Sequence, residues 1–223
     1  IKFLANKENN GQGTIEYLDL EFGYTCNMYC LSCGPYASTT WQQIAKIYPW
    51  PEKSIDEDSL NKFLGLVQHH RESLKKINLY GGEPSVDPMY YKFIDRFLSM
   101  DLPNCDIGIV TNGNYSENFL VKFEDSLTRL IEANRKIFIT FSLDGVGEDG
   151  EFIRGGLKME RFTRNIKSAI AFGLRPRLQA SISILNIGNN DAIIKWLDEE
   201  GILNKVDFHL NKVSMPEDLS VNI

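Results

Sequence analysis

Ile15-Glu-Tyr-Leu-Asp-Leu-Glu-Phe22 runs through Gly23-Tyr-Thr25 into Cys26-Asn-Met-Tyr-Cys30-Leu-Ser-Cys33. Leu18, Leu20 and Phe22 alternate with Asp19 and Glu21, the period of a strand with one buried face. That strand delivers the chain to three thiols spaced C-x3-C-x2-C. Three thiolates on one short loop can hold three irons of a cubane cluster, since such clusters are ligated by cysteine sulfur; the fourth iron is left open. Zinc is a second reading: a closed structural site needs four ligands, and Cys105 or His209 would have to supply the fourth. Structural thiols or a disulfide are a third, weakened because bridges stabilise chiefly by closing long loops.

The rest of the chain repeats the pattern of a strand running into polar chemistry. Lys76 to Tyr80 leads into Gly81-Gly82-Glu83-Pro84, and Ile107 to Thr111 closes in Thr111-Asn112-Gly113. Ile137 to Leu143 ends in Asp144-Gly145, Leu178 to Leu185 ends at Asn186, and Val206 to Leu210 carries His209. Between them lie apolar stripes of helical spacing, such as Leu60, Phe63, Leu64 and Val67. Ser54 with Glu57 forms a capping box before that stripe. Six strands alternating with five helices predict a parallel α/β fold. Fewer than eight units cannot close the usual barrel, so the expectation is a partial (βα)6 TIM-like barrel, open on one side.

Residues 1–13 read as a polar leader, 14–212 as the core domain, and 213–223 as the start of a C-terminal extension. Residues 34–53, with Trp41, Tyr48 and Trp50, read as a long irregular loop of the kind that often serves as a lid. Residues 145–157 read as a glycine-rich loop around Arg154. Cys105 reads as a small buried hydrophobe.

With 223 residues, 43% of them hydrophobic, the chain can bury a sizeable core. A net charge of −6 argues against a nucleic-acid partner, whose binders show a basic footprint. No apolar run reaches the roughly 20 residues of a membrane span, and no signal peptide is visible. Four cysteines, three of them bunched, fit a reducing, cytoplasmic setting.

The cysteine array at the end of a first strand, followed by Gly81-Gly82-Glu83-Pro84, Thr111-Asn112-Gly113 and Ser142-Leu143-Asp144-Gly145, resembles the radical S-adenosylmethionine superfamily from about Thr14 to about Leu210. Within it the chain is most similar to the subgroup with SPASM or twitch extensions. Ser32 departs from the pattern, which commonly has an aromatic residue there. The resemblance implies a 4Fe-4S cluster on Cys26, Cys30 and Cys33, with S-adenosyl-L-methionine on its open iron. It implies that Gly81, Gly82 and Glu83 hold the ammonium of that cofactor, Ser142 and Arg154 its carboxylate, and Asn186 with the strand after Arg177 its ribose and adenine. Asp144, Asn112 and Tyr80 would face the cavity as substrate contacts or proton handlers. One-electron reduction, from a donor such as flavodoxin or ferredoxin, would yield a 5'-deoxyadenosyl radical that takes hydrogen from a peptide or protein side chain. A deazapurine-type rearrangement of a small molecule and a non-catalytic iron-sulfur or zinc module are the competing readings.

Overall fold

A computed structural model describes residues 2–5, 14–46, 55–213 and 216–220. One seven-stranded sheet organises them, its strands side by side in sequence order. These are β1 (Lys2–Ala5), β2 (Ile15–Glu21), β3 (Lys76–Tyr80), β4 (Asp106–Thr111), β5 (Ile137–Ser142), β6 (Arg177–Ile182) and β7 (Asp207–Lys212). From β2 to β7 every neighbour pair is parallel. The sheet is not closed, and it matches a partial TIM barrel.

Among the described residues seven α-helices accompany it: α1 (Thr39–Ala45), α2 (Glu57–His69), α3 (Pro88–Leu98), α4 (Glu117–Glu132), α5 (Gly147–Ile153), α6 (Met159–Ala171) and α7 (Asn190–Glu199). Three elements differ from expectation. Lys2–Ala5, placed in the polar leader, pairs antiparallel with β2, supplying the outer edge of that strand with hydrogen-bond partners it would otherwise lack. The stretches read as loops around Trp41 and before Arg154 contain α1 and α5. Tyr48, Trp50 and Ser54 lie outside the described residues; α2 is capped instead by Asp56, whose carboxylate accepts from Ser59 N–H at 2.7 Å.

Strand alternation places the two faces of the sheet in different surroundings. Leu18, Leu20, Ile77, Leu79, Ile107, Ile109, Ile139, Phe141, Leu178 and Ala180 are buried beneath the helices. Phe22, Phe63, Phe93 and Phe97 continue that layer as packed aromatic rings, each burial worth about 1.5–3 kcal/mol. The opposite, concave face is largely polar: Asp19, Asn78, Tyr80, Thr140, Ser142, Gln179, Ser181, His209 and Asn211 share it with Gly108, Val110 and Phe138 at its middle. Parallel sheets ordinarily bury both faces in apolar side chains. A polar inner wall on such a sheet therefore belongs to a cavity.

Candidate functional site

The cysteine loop leaves the C-terminal end of β2, the end at which barrels of this kind keep their chemistry. Its backbone is fixed from one side by the first turn of α1. Ser38 Oγ donates to the Met28 carbonyl, Thr40 Oγ1 to that of Cys26 at 2.7 Å, and Trp41 Nε1 to that of Cys30 at 2.8 Å. Thr39 Oγ1 both donates to Cys26 O and accepts from Cys26 N–H. With these carbonyls engaged, the thiols are left as the loop's free groups: Cys26 is half-buried, Cys30 buried and Cys33 exposed, and none forms a disulfide.

A second side is formed by Gly81-Gly82-Glu83. Gly82 N–H donates to Gly23 O and Glu83 N–H to Thr25 O, both at 2.7 Å. A methyl group on Gly82 would lie 2.3 Å from the Thr25 carbonyl oxygen, so the missing side chain makes room for the cysteine loop. Gly81, at φ 138°, adopts a backbone that other residues avoid. Glu83 is buried, and its carboxylate accepts from Ser85 N–H at 3.0 Å, Ser85 Oγ at 2.6 Å, Thr111 Oγ1 at 2.7 Å and Asn112 N–H at 2.6 Å. Burial pushes its pKa up against those four donors. Glu83 thus ties the Gly-Gly turn to the Thr-Asn-Gly turn.

Asn112 likewise turns inward. Its Nδ2 donates to Asn27 Oδ1 at 2.8 Å, while its Oδ1 accepts from Asn114 N–H. Asn27 Nδ2 donates in turn to Asn114 O, and Asn114 Nδ2 to Gly156 O at 2.7 Å. Asn165 of α6 donates to the carbonyls of Gly113 and Tyr115, holding this turn from behind. Ser38, Thr39, Thr40, Asn27, Asn114 and Asn165 all escaped sequence reading, and Trp41 reads there as part of a lid loop. Polar residues flanking the motifs were the signal available.

The third side is the run Ile153-Arg154-Gly155. Leu31 N–H donates to Ile153 O at 2.9 Å and Tyr29 N–H to Gly155 O at 2.8 Å, which sets Arg154 directly across from Cys30. Arg154 is buried and pairs with Asp144 at 2.8 Å. The other Asp144 oxygen accepts from Ser181 N–H at 2.7 Å. Asp144 therefore anchors Arg154. Asn186 is buried too, its Nδ2 donating to the carbonyls of Asp144 and Ser181 and its Oδ1 accepting from Ser183 N–H. It clips this anchor in place. Ser142 and Tyr80 remain on the concave face, half-buried.

The thiols respond to these neighbours. Burial, with Glu83 second, pushes Cys26 up to about 11. Cys30 is drawn below the ordinary thiol range, first by a hydrogen bond from Cys33 and then by the Arg154 charge opposing its burial, while Cys33, the donor, is raised. Cys105 precedes β4, at the opposite end of a parallel sheet whose strands are about 20 Å long. It is buried and cannot act as a fourth ligand to the loop.

The family model of the Radical SAM superfamily matches residues 20–199. The chain belongs to the radical SAM superfamily. Among curated proteins it is 25% identical over 202 residues to GTP 3',8-cyclase of Nautilia profundicola, covering 89% of this chain and 54% of the relative. It is 27% identical over 194 residues to GTP 3',8-cyclase of Campylobacter lari, covering 87% and 52%. The chain thus spans about half the length of these relatives. Solved structures sharing the fold include anSMEcpe with bound AdoMet, at 14% identity and TM-score 0.61 over 87% of this chain and 51% of that one. Streptococcus suis SuiB bound to precursor peptide SuiA aligns with TM-score 0.64 and 16% identity over 92% and 41%.

The radical SAM superfamily uses a 4Fe-4S cluster and S-adenosylmethionine. The donor set here fits such a cluster: three unbridged thiols on a pre-shaped loop, with a buried guanidinium whose Nε has no partner among the described residues. No three His, Cys, Asp or Glu side chains among the described residues converge as ligands of a single ion; the irons of a cubane are spread out, so its thiolates need not meet at one point.

Proposed function

We propose that the chain cleaves S-adenosylmethionine reductively at a 4Fe-4S cluster on Cys26, Cys30 and Cys33 and abstracts a hydrogen atom from a polar substrate lying against the concave wall. The observation that carries this reading is the three-sided bracing of a loop with three free thiols at the C-terminal ends of β2–β6. When bound, cluster and cofactor supply the electron and the 5'-deoxyadenosyl radical.

The chain's own residues bind, orient and shield. The carbonyls of Gly81 and Gly82 offer acceptors to the cofactor ammonium beside the cysteine loop. The Ser142 hydroxyl, at the open end of β5, offers a donor to its carboxylate. Glu83, Asn112, Asp144 and Asn186 keep these groups in register through the bonds described above. The one-electron donor would approach from the side on which Cys33 is exposed.

For the substrate, the sequence likeness to two GTP 3',8-cyclases favours a polar small molecule over the peptide side chain that the subgroup resemblance suggested. Tyr80 and Ser142, at the C-terminal ends of β3 and β5, the end of the sheet that also carries the cysteine loop, offer such a substrate hydrogen-bond partners. The test is anaerobic reconstitution followed by reduction with S-adenosylmethionine and quantification of 5'-deoxyadenosine. A passive metal module would release none. Stimulation of release by GTP or another nucleotide, and not by peptides, supports the small-molecule reading; the reverse overturns it.

A further inference from the structure

One side of the buried Arg154 guanidinium has no partner among the described residues. Tyr29 and Leu31 donate their N–H groups to Gly155 and Ile153, so the backbone around Cys30 lies against the backbone around Arg154. The guanidinium is buried, held from behind by Asp144 through one nitrogen, and its Nε is buried without a partner among the described residues. It is a fixed positive charge facing sulfur.

We propose that Arg154 is a positioning residue that sets the reduction potential of the cluster on Cys30, apart from any contact with S-adenosylmethionine. The inference rests on the cluster assigned under the proposed function. Adding an electron makes a thiolate-ligated cluster more negative, and a nearby buried cation stabilises the reduced form; net charge and hydrogen bonds to sulfur are recognised levers on such potentials. Asp144 acts in the opposite sense, partly neutralising the cation while keeping it in place. Gly155 makes the approach practicable: a methyl group there would lie 2.3 Å from the Tyr29 ring.

The experiment is a dye-mediated redox titration of the anaerobically reconstituted chain without S-adenosylmethionine, followed by electron paramagnetic resonance, with iron content measured alongside. Arg154→Gln should lower the equilibrium constant for reduction at least tenfold, which is 59 mV for a one-electron couple. Arg154→Lys, which keeps the charge, should recover most of the shift, and Asp144→Asn should move the potential upward. If Arg154→Gln loses iron while Arg154→Lys retains it, the cation holds the cluster instead of tuning it, and the proposal is overturned. An equilibrium constant for reduction within threefold of the parent in Arg154→Gln at full iron overturns it. So do equal shifts in the Gln and Lys variants, loss of iron in both, or a downward shift in Asp144→Asn. A parent chain that binds no cluster would instead defeat the functional reading on which this rests.

Discussion

Replacing Glu83 by alanine removes the acceptor of four hydrogen bonds at once. The Ser85 and Thr111 hydroxyls can rotate toward other acceptors, but the amide N–H groups of Ser85 and Asn112 cannot. Each buried N–H left alone costs about 1–3 kcal/mol. Relief from burying a carboxylate offsets part of this, leaving a net loss of about 3 kcal/mol. With a urea slope of about 2–3 kcal/mol/M, the unfolding midpoint should fall by about 1–1.5 M, read by circular dichroism at matched iron content. Glu83→Gln should lose less, since one oxygen survives. Burial holds the Glu83 carboxyl above its ordinary range. The folded state therefore binds that proton more tightly than the unfolded chain. This contribution is complete below the ordinary glutamate pKa and is lost as pH rises through the folded value. The parent should accordingly show a decline in stability with rising pH that Glu83→Gln lacks. A midpoint shift below about 0.3 M in Glu83→Ala, or equal pH slopes in parent and Glu83→Gln, would refute the view of Glu83 as a buried tie.

Cys26→Ser, Cys30→Ser and Cys33→Ser should each deplete bound iron and abolish 5'-deoxyadenosine release, whereas Cys105→Ser, altered at the far end of the sheet, should keep its iron. Gly82→Ala should destabilise by about 1–3 kcal/mol or more, because the new methyl meets backbone. Gly108→Ala should cost less, since its methyl meets the Asn78 side-chain tip, at 2.3 Å; thermal melts of the two variants check the order. Asn112→Ala frees Asn27 and Asn114, and should lower iron retention during gel filtration while leaving the circular dichroism spectrum unchanged.

Much of the fold is legible in the sequence because β2–β6 each join an apolar alternation to an abrupt polar turn. The thiols and the Gly-Gly-Glu turn stand out for the same reason. What stayed hidden has physical causes. β1 is four residues long and precedes a polar run, too short for a period to register. α1 has no buried residue; it holds the cysteine loop by hydrogen bonds, so it lacks the apolar stripe that betrays a helix. Glu83, Asp144 and Asn186 are visible as polar residues at strand ends, but sequence does not show whether their lone pairs are already occupied from within.

The hold that Ser38, Thr40 and Trp41 keep on the carbonyls of Met28, Cys26 and Cys30 has a bearing on repair. Because the socket's main chain is moulded by neighbouring protein and not by metal, little of the energy of loading iron goes into folding. Air exposure that strips the inorganic core would leave an intact cast behind, ready for refilling once the thiols are reduced.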